Sequence, residues 1–172
     1  MDLRPYIREI PDFPKPGISF KDITPLLRDP AAFGWAVDEL ARRGARHSAE
    51  AVCAAEARGF IFAGPVARQL GLPLIPMRKP GRLPWMTRSV RYSLEYGEAE
   101  LQVHADAFAP GTRVFLVDDL LATGGTVVAM AELVRQGGGV AAAAGFVIEL
   151  ANLHPRLRLG GLPVESLLSM DG

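Results

Sequence analysis

An α/β fold, with a central parallel sheet flanked by helices and a small hood from the N-terminus and a hairpin, is predicted by three features of the sequence. Short apolar runs at 49–55, 72–76, 114–117 and 140–150 alternate with segments whose apolar residues recur at helical spacing. One of those runs opens directly onto a pair of carboxylates, a glycine turn and a helix start, which is how a ligand crevice at the carboxyl end of a parallel strand is built. The chain has 172 residues, 49% of them hydrophobic and 22% charged, with no repeat, linker or low-complexity stretch to divide it, so a single domain over 1–172 is expected.

From the N-terminus, Leu3, Tyr6, Ile7 and Ile10 are spaced for a short amphipathic helix ending at Pro11. Pro11, Pro14 and Pro16 then force an extended path to Gly17. Residues 18–23 alternate apolar and polar side chains like an edge strand, although Ile18, Phe20 and Ile23 equally suit a lid packed on the core. Asp29 caps a helix that Pro30 opens and that Phe33, Ala36, Val37, Leu40 and Ala41 carry to its end at Gly44. A buried strand over 49–55 leads into a second helix through Ile61, Phe62, Val66 and Leu70, closed by Gly71. After the strand at 72–76, residues 77–84 set Arg78, Lys79 and Arg82 among glycine and prolines without apolar periodicity, the composition of a mobile basic loop. Residues 91–98 begin a hairpin that returns over 99–103, with Gly97 at the turn. The hood is thus expected from roughly 1–25 and 77–104. Residues 140–150 form another buried strand, and a last strand lies around 164–169.

The chemistry concentrates in 114–130. Val114–Val117 is too short for a helix and stops at Asp118 and Asp119, which a core does not accept unpaired, so the strand is expected to end there. Thr123-Gly124-Gly125-Thr126 follows, and then Val127, Val128, Met130, Ala131 and Val134 at the spacing of a helix face. Glycines let successive N–H groups converge, the two threonines add hydroxyls, and the helix N-terminus adds partial positive charge, which together make a phosphate cradle. Neither Gly-x-x-x-x-Gly-Lys-Ser/Thr nor Gly-x-Gly-x-x-Gly is present in this stretch. Carboxylates beside a phosphate are repulsive unless they engage hydroxyls or a cation, and a sugar phosphate supplies hydroxyls. Taken alone, the acidic pair also fits turn chemistry with a helix cap, Arg58 fits a surface charge, Phe20 a core aromatic and Glu95 a solvent-facing strand residue.

The string 114–126 as a whole closely resembles the signature of the type I phosphoribosyltransferases. Residues 14–27 (Pro-Lys-Pro-Gly-Ile-Ser-Phe-Lys-Asp-Ile-Thr-Pro-Leu-Leu), 56–60 (Glu-Ala-Arg-Gly-Phe), 78–84 (Arg-Lys-Pro-Gly-Arg-Leu-Pro) and 92–97 (Tyr-Ser-Leu-Glu-Tyr-Gly) resemble, in order and spacing, the adenine phosphoribosyltransferases of that family. The resemblance implies the type I phosphoribosyltransferase fold and transfer of a phosphoribosyl group from 5-phosphoribosyl 1-pyrophosphate to adenine, giving AMP and diphosphate. It implies that Asp118, Asp119, Leu120 and Ala122 serve the ribose, and Thr123, Gly124, Gly125 and Thr126 the 5′-phosphate. It further implies that Ala57, Arg58 and Gly59, with Arg78, Lys79 and Arg82, hold the diphosphate, and that Ser19, Phe20, Lys21 and Leu150 form the adenine pocket. Glu95 is implied as the proton-transfer group, with Arg58 as its catalytic partner at the leaving group, and residues 85–90 as a flexible loop. Mg²⁺ enters with the donor substrate, Asp118 and Asp119 standing as outer partners, and a homodimer is implied in which Arg78 or Lys79 serves the neighbouring site. Two alternatives stay beside this reading: transfer to another purine base such as hypoxanthine or guanine, and a non-catalytic nucleotide-sensing regulator on the same fold.

Other classes are disfavoured by composition. Nineteen basic residues balance nineteen acidic ones, so net charge suggests no nucleic-acid partner. No apolar run approaches the roughly 18 residues of a membrane span, and the N-terminus lacks a signal peptide's apolar core, which makes a cytoplasmic location the expectation. One cysteine excludes an internal disulfide, and His47, His104 and His154 have no metal-ligand spacing.

Overall fold

In the computed structural model, which describes residues 1–93 and 98–172, five parallel strands form the central sheet in the order β4-β3-β7-β8-β9. These are β3 (Ala51–Ala55), β4 (Leu74–Met77), β7 (Arg113–Leu121), β8 (Val140–Leu150) and β9 (Val164–Met170). Their side chains alternate between two cores, as a pleated strand covered on both faces requires. Val52, Ala54, Phe115 and Val117 face one side, with Leu40 of α2 (Pro30–Gly44) and Phe62 and Val66 of α3 (Gly59–Leu70). Ala51, Cys53, Val114 and Leu116 face the other, with Met130 and Leu133 of α4 (Gly125–Gln136).

Helix α2 begins as expected, the Asp29 carboxylate accepting the N–H groups of Ala31 at 3.0 Å and Ala32 at 2.9 Å. Its last residue, Gly44, has a different task from the one expected. Gly44 is helical (φ −57°), and a Cβ there would lie 2.7 Å from the Phe115 ring, so the glycine admits the ring rather than ending the helix. Left-handed Ser48 ends that segment, after a 3-10 turn at Ala45–His47. Gly71 does close α3 in the left-handed conformation.

Two antiparallel pairs lie in the segments assigned to the hood: β1 (Arg8–Ile10) with β2 (Phe20–Asp22), and β5 (Thr87–Ser93) with β6 (Glu98–His104). Three expectations change here. Residues 1–10 are not an amphipathic helix: a 3-10 turn at Arg4–Tyr6, containing Pro5, gives way to β1, which gains a ladder with β2 while Leu3 and Ile7 reach the core. Residues 87–90 are not loop but the start of β5, paired to β6 from Thr87 opposite His104 to Val90 opposite Leu101. A short helix, α1 (Thr24–Arg28), which periodicity did not suggest, follows β2. Gly97, the expected hairpin turn, lies outside the described residues.

The fourth change is central. Strand β7 does not stop at the acidic pair; it runs through Asp118 and Asp119 to Leu121, with Asp118 opposite Phe146, Leu120 opposite Ile148 and Leu121 opposite Glu149 of β8. The neighbouring strand supplies ladder bonds to the very end, so the backbone stays in the sheet while the carboxylates meet the crevice beyond it.

Candidate active site

Strands β3 and β7 are neighbours, yet the chain leaves β3 through α3 toward β4 and leaves β7 through α4 toward β8. Diverging connections open a crevice at the carboxyl ends of the two strands. Two adjoining cavities of about 250 Å³ and about 400 Å³ occupy it, with Asp118, Leu120, Ala122 and Thr126 in the walls of both.

The smaller cavity is the mouth of the Thr123–Thr126 loop. Gly124 takes the left-handed conformation (φ +85°) and turns the chain into α4, whose first internal bond runs from Val128 N–H to the Gly124 carbonyl at 3.0 Å. The N–H groups of Gly125, Thr126 and Val127 precede that bond and have no acceptor within the helix, the arrangement that receives an anion.

The larger cavity joins this loop to the turn after β3. Asp119 is only 3% exposed, and its Oδ2 lies 2.7 Å from Arg58 Nε. This short contact is an ion pair without hydrogen-bond alignment, which leaves Oδ2 a buried oxygen that accepts no hydrogen bond. Asp118 Oδ1 accepts the Asp119 N–H at 2.9 Å. A sliver of Asp118 opens to the crevice while protein crowds its other sides; that burial, and then the Asp119 charge, raise its pKa well above the ordinary carboxylate value. A Cβ on Gly59 would lie 2.9 Å from Asp118 Oδ1 and 3.0 Å from the Val117 carbonyl, so a glycine is what lets α3 start against the acidic pair.

Arg58 also reaches the hood, its Cζ 5.4 Å from the centre of the Phe20 ring, which meets Phe13 edge-on at 5.2 Å. Lys21 points elsewhere, as alternation along β2 demands: it is 4% exposed, its Nζ donating to Glu9 Oε2 at 2.9 Å and Ser19 Oγ at 3.1 Å. Its ammonium and the Ser19 hydroxyl are therefore engaged within the hood. Leu150 is packed in the α2–α3 core and lines neither cavity. Arg78 Nε and Nη2 donate to the Glu56 carboxylate at 3.2 and 3.4 Å, and Lys79 N–H adds a bond at 3.1 Å, which ties the basic loop to the turn carrying Ala57 and Arg58. The Arg78 hydrogen bonds hold Glu56 below the usual carboxylate range. Arg82 joins through its carbonyl, which accepts from Arg78 Nη1 at 3.4 Å. Glu95 lies outside the described residues.

Residues 29–158 match the phosphoribosyl transferase domain. The adenine phosphoribosyltransferase of Synechococcus sp. is 50% identical over 171 residues, covering 99% of this chain and 100% of that protein. That of Nitrosococcus oceani is 54% identical over 166 residues, covering 96% and 97%. The chain belongs to the adenine phosphoribosyltransferase family. The crystal structure of the family member from Thermoanaerobacter pseudethanolicus agrees with a TM-score of 0.94 at 48% identity over 98% of both chains. The Saccharomyces cerevisiae family member, complexed with D-2,5-dideoxy-2,5-imino-altritol 1,6-bisphosphate and adenine, gives 0.88 at 34% identity over 96% of both. The fold expected from the resemblance is the fold of this family member.

Five residues of the crevice were not among the expected site residues: Leu121 and Val127, which flank the Thr123–Thr126 loop, and three others. Tyr92 and Glu56 line the larger cavity and Phe146 the smaller. Tyr92 and Glu56 stand inside the quoted family strings, so their position was available; Phe146 sits opposite Asp118 only through the β7–β8 register.

Proposed function

We propose that this family member joins adenine to the anomeric carbon of 5-phosphoribosyl 1-pyrophosphate, forming the N9–C1′ bond as the C1′–diphosphate bond breaks, and releases AMP and diphosphate. The observation that carries this reading is one crevice in which a phosphate-type cradle, an acidic pair and an arginine follow one another in the order of the donor's parts, with an aromatic ring of the hood against that arginine. The cradle of Thr123–Thr126 takes the 5′-phosphate; Asp118 and Asp119 accept the ribose hydroxyls, and their charge favours the oxocarbenium-like state at C1′. Arg58, with the Ala57 and Gly59 amides, takes the diphosphate, and Arg78, Lys79 and Arg82 add positive charge as it leaves. Phe20 stacks on the base, with Ser19 and Lys21 flanking it along the chain. Glu95 accepts the proton that adenine loses.

Two adjacent carboxylates, one with a buried oxygen free of hydrogen bonds, fit outer contacts to a hydrated Mg²⁺ carried by the donor, and among the described residues no three His, Cys, Asp or Glu side chains are grouped to hold an ion directly. When bound, that ion neutralises charge on the departing diphosphate. Among the described residues no helix is long and apolar enough to cross a membrane. A single domain, a homodimer in which Arg78 or Lys79 serves the neighbouring site, a cytoplasmic location and a place in purine salvage belong to the same reading, supported by the family membership.

Product formation from adenine, hypoxanthine and guanine, each with the donor and Mg²⁺, tests it. AMP from adenine is the expected product. Preference for an oxopurine would move the assignment to the other purine enzymes, and donor binding without any product would leave a nucleotide sensor.

A further inference from the structure

The turn after β8 is in contact with the loop assigned to the 5′-phosphate. A Cβ on Gly124 would lie 3.2 Å from the Pro155 carbonyl oxygen, 3.3 Å from Leu159 Cδ2 and 3.8 Å from Arg158 Cβ. The 3-10 turn Pro155–Arg158, with Leu159 after it, is therefore the surface against which left-handed Gly124 rests. Leu159 is anchored in the core that holds Val127 and Leu121, on either side of the loop.

What fixes the turn is a fork. Arg156 Nε donates to Glu149 Oε1 and Arg156 Nη2 to Glu149 Oε2, both at 2.7 Å. Glu149 is 7% exposed and sits near the end of β8, opposite Leu121 of β7, the residue from which the chain departs into the loop. One end of the fork is thus set by the sheet and the other by the turn under Gly124. A bidentate guanidinium–carboxylate pair holds one planar geometry, which a single donor does not.

We propose that Arg156 and Glu149 are positioning residues for the 5′-phosphate loop: their fork holds the Pro155–Arg158 turn under Gly124 so that the loop's N–H groups converge before ligand arrives. The inference rests on the assignment of Thr123–Thr126 to the phosphate. Neither side chain lines the crevice cavities, and the Arg156 side chain is 55% exposed, so its replacement opens no core void. Releasing the fork leaves the loop to be ordered by the ligand at the ligand's expense.

The test compares Arg156→Gln, Arg156→Lys and the double variant Glu149→Gln/Arg156→Gln with the parent, using AMP affinity by calorimetry and the steady-state constants for donor and adenine. Arg156→Gln should raise the AMP Kd and the donor KM about tenfold, with kcat and the adenine KM within about twofold, the signature of lost ground-state positioning. Arg156→Lys, which keeps the charge but not the fork, should fall between, and the neutral double variant should recover part of the loss. If Arg156→Gln does not fold, Arg156→Lys carries the same comparison. Unchanged AMP affinity and donor KM in folded Arg156 variants overturns the proposal, as does a fall in kcat and adenine affinity in step with the donor effect. Thr126→Ala separates the two layers: if it weakens AMP and the Arg156 variants do not, the brace alone falls; if it leaves AMP binding intact, the phosphate assignment falls and the brace with it.

Discussion

Arg58 and Asp119 meet across the crevice, Nε to Oδ2 at 2.7 Å, and the same guanidinium stands 5.4 Å from the centre of the Phe20 ring. One cation therefore occupies the acid assigned to the ribose and the face assigned to the base. Under the proposed function, substrates entering the crevice would realign it, and the diphosphate would accept the freed guanidinium. On the proposed assignment Asp119 then exchanges Arg58 for a ribose hydroxyl, and Asp118 takes up a second.

This exchange predicts the behaviour of Asp118→Asn with Asp119→Asn. Hydrogen bonds to charged groups contribute about 1.5–3 kcal/mol, so donor affinity should fall at least about tenfold and turnover with it. Circular dichroism should report an unchanged fold. A folded double variant with parental donor affinity and rate would remove the acids from the ribose site.

Asp118 alone predicts a pH dependence. Burial and then the Asp119 charge raise its folded-state pKa above the ordinary value of 3.8. A carboxyl raised in this way contributes stability that is complete below the unfolded-state pKa and is lost as pH climbs through the folded-state pKa. Asp118→Asn has no proton to lose, so its melting temperature should gain on the parent's progressively from pH 4 upward. A difference that stays constant or shrinks with rising pH contradicts this.

Glu95 predicts a rate effect from the sequence alone. Glu95→Gln keeps the shape and removes the proton acceptor, so turnover of adenine should drop by about 10²-fold or more with donor binding nearly unchanged. Single-turnover measurement isolates the chemical step. Parental rates there would remove Glu95 from the proton-transfer role.

The core predicts a packing penalty. The Phe115 ring lies against both Gly44 and Gly145, and a Cβ on Gly145 would collide with its Cζ. Gly145→Ala should destabilise the chain by about 1–3 kcal/mol, the usual range for overpacking. Urea unfolding with an unshifted midpoint would show that the ring can move aside.

By itself the sequence determined the elements whose signals are local. The five sheet strands, the Asp29 cap, the Gly71 stop and the Thr123–Thr126 turn are written in runs of apolar residues and in residues with special backbone preferences. The order of the site motifs along the chain was likewise legible, because each is a short string. Tertiary structure decided whatever depends on a partner distant in sequence. Strand β7 continues through two carboxylates because β8 pairs with it, residues 87–90 are strand because β6 lies opposite, and residues 8–10 are strand because β2 does. It also decided that Gly44 serves Phe115, that Lys21 is spent on Glu9, that Arg58 spans Asp119 and Phe20, and that Arg156 reaches back to Glu149. A ladder bond, an ion pair or a ring slot is completed by a second residue whose position only the folded chain supplies, whereas a cap or a glycine turn is complete within a few residues of chain.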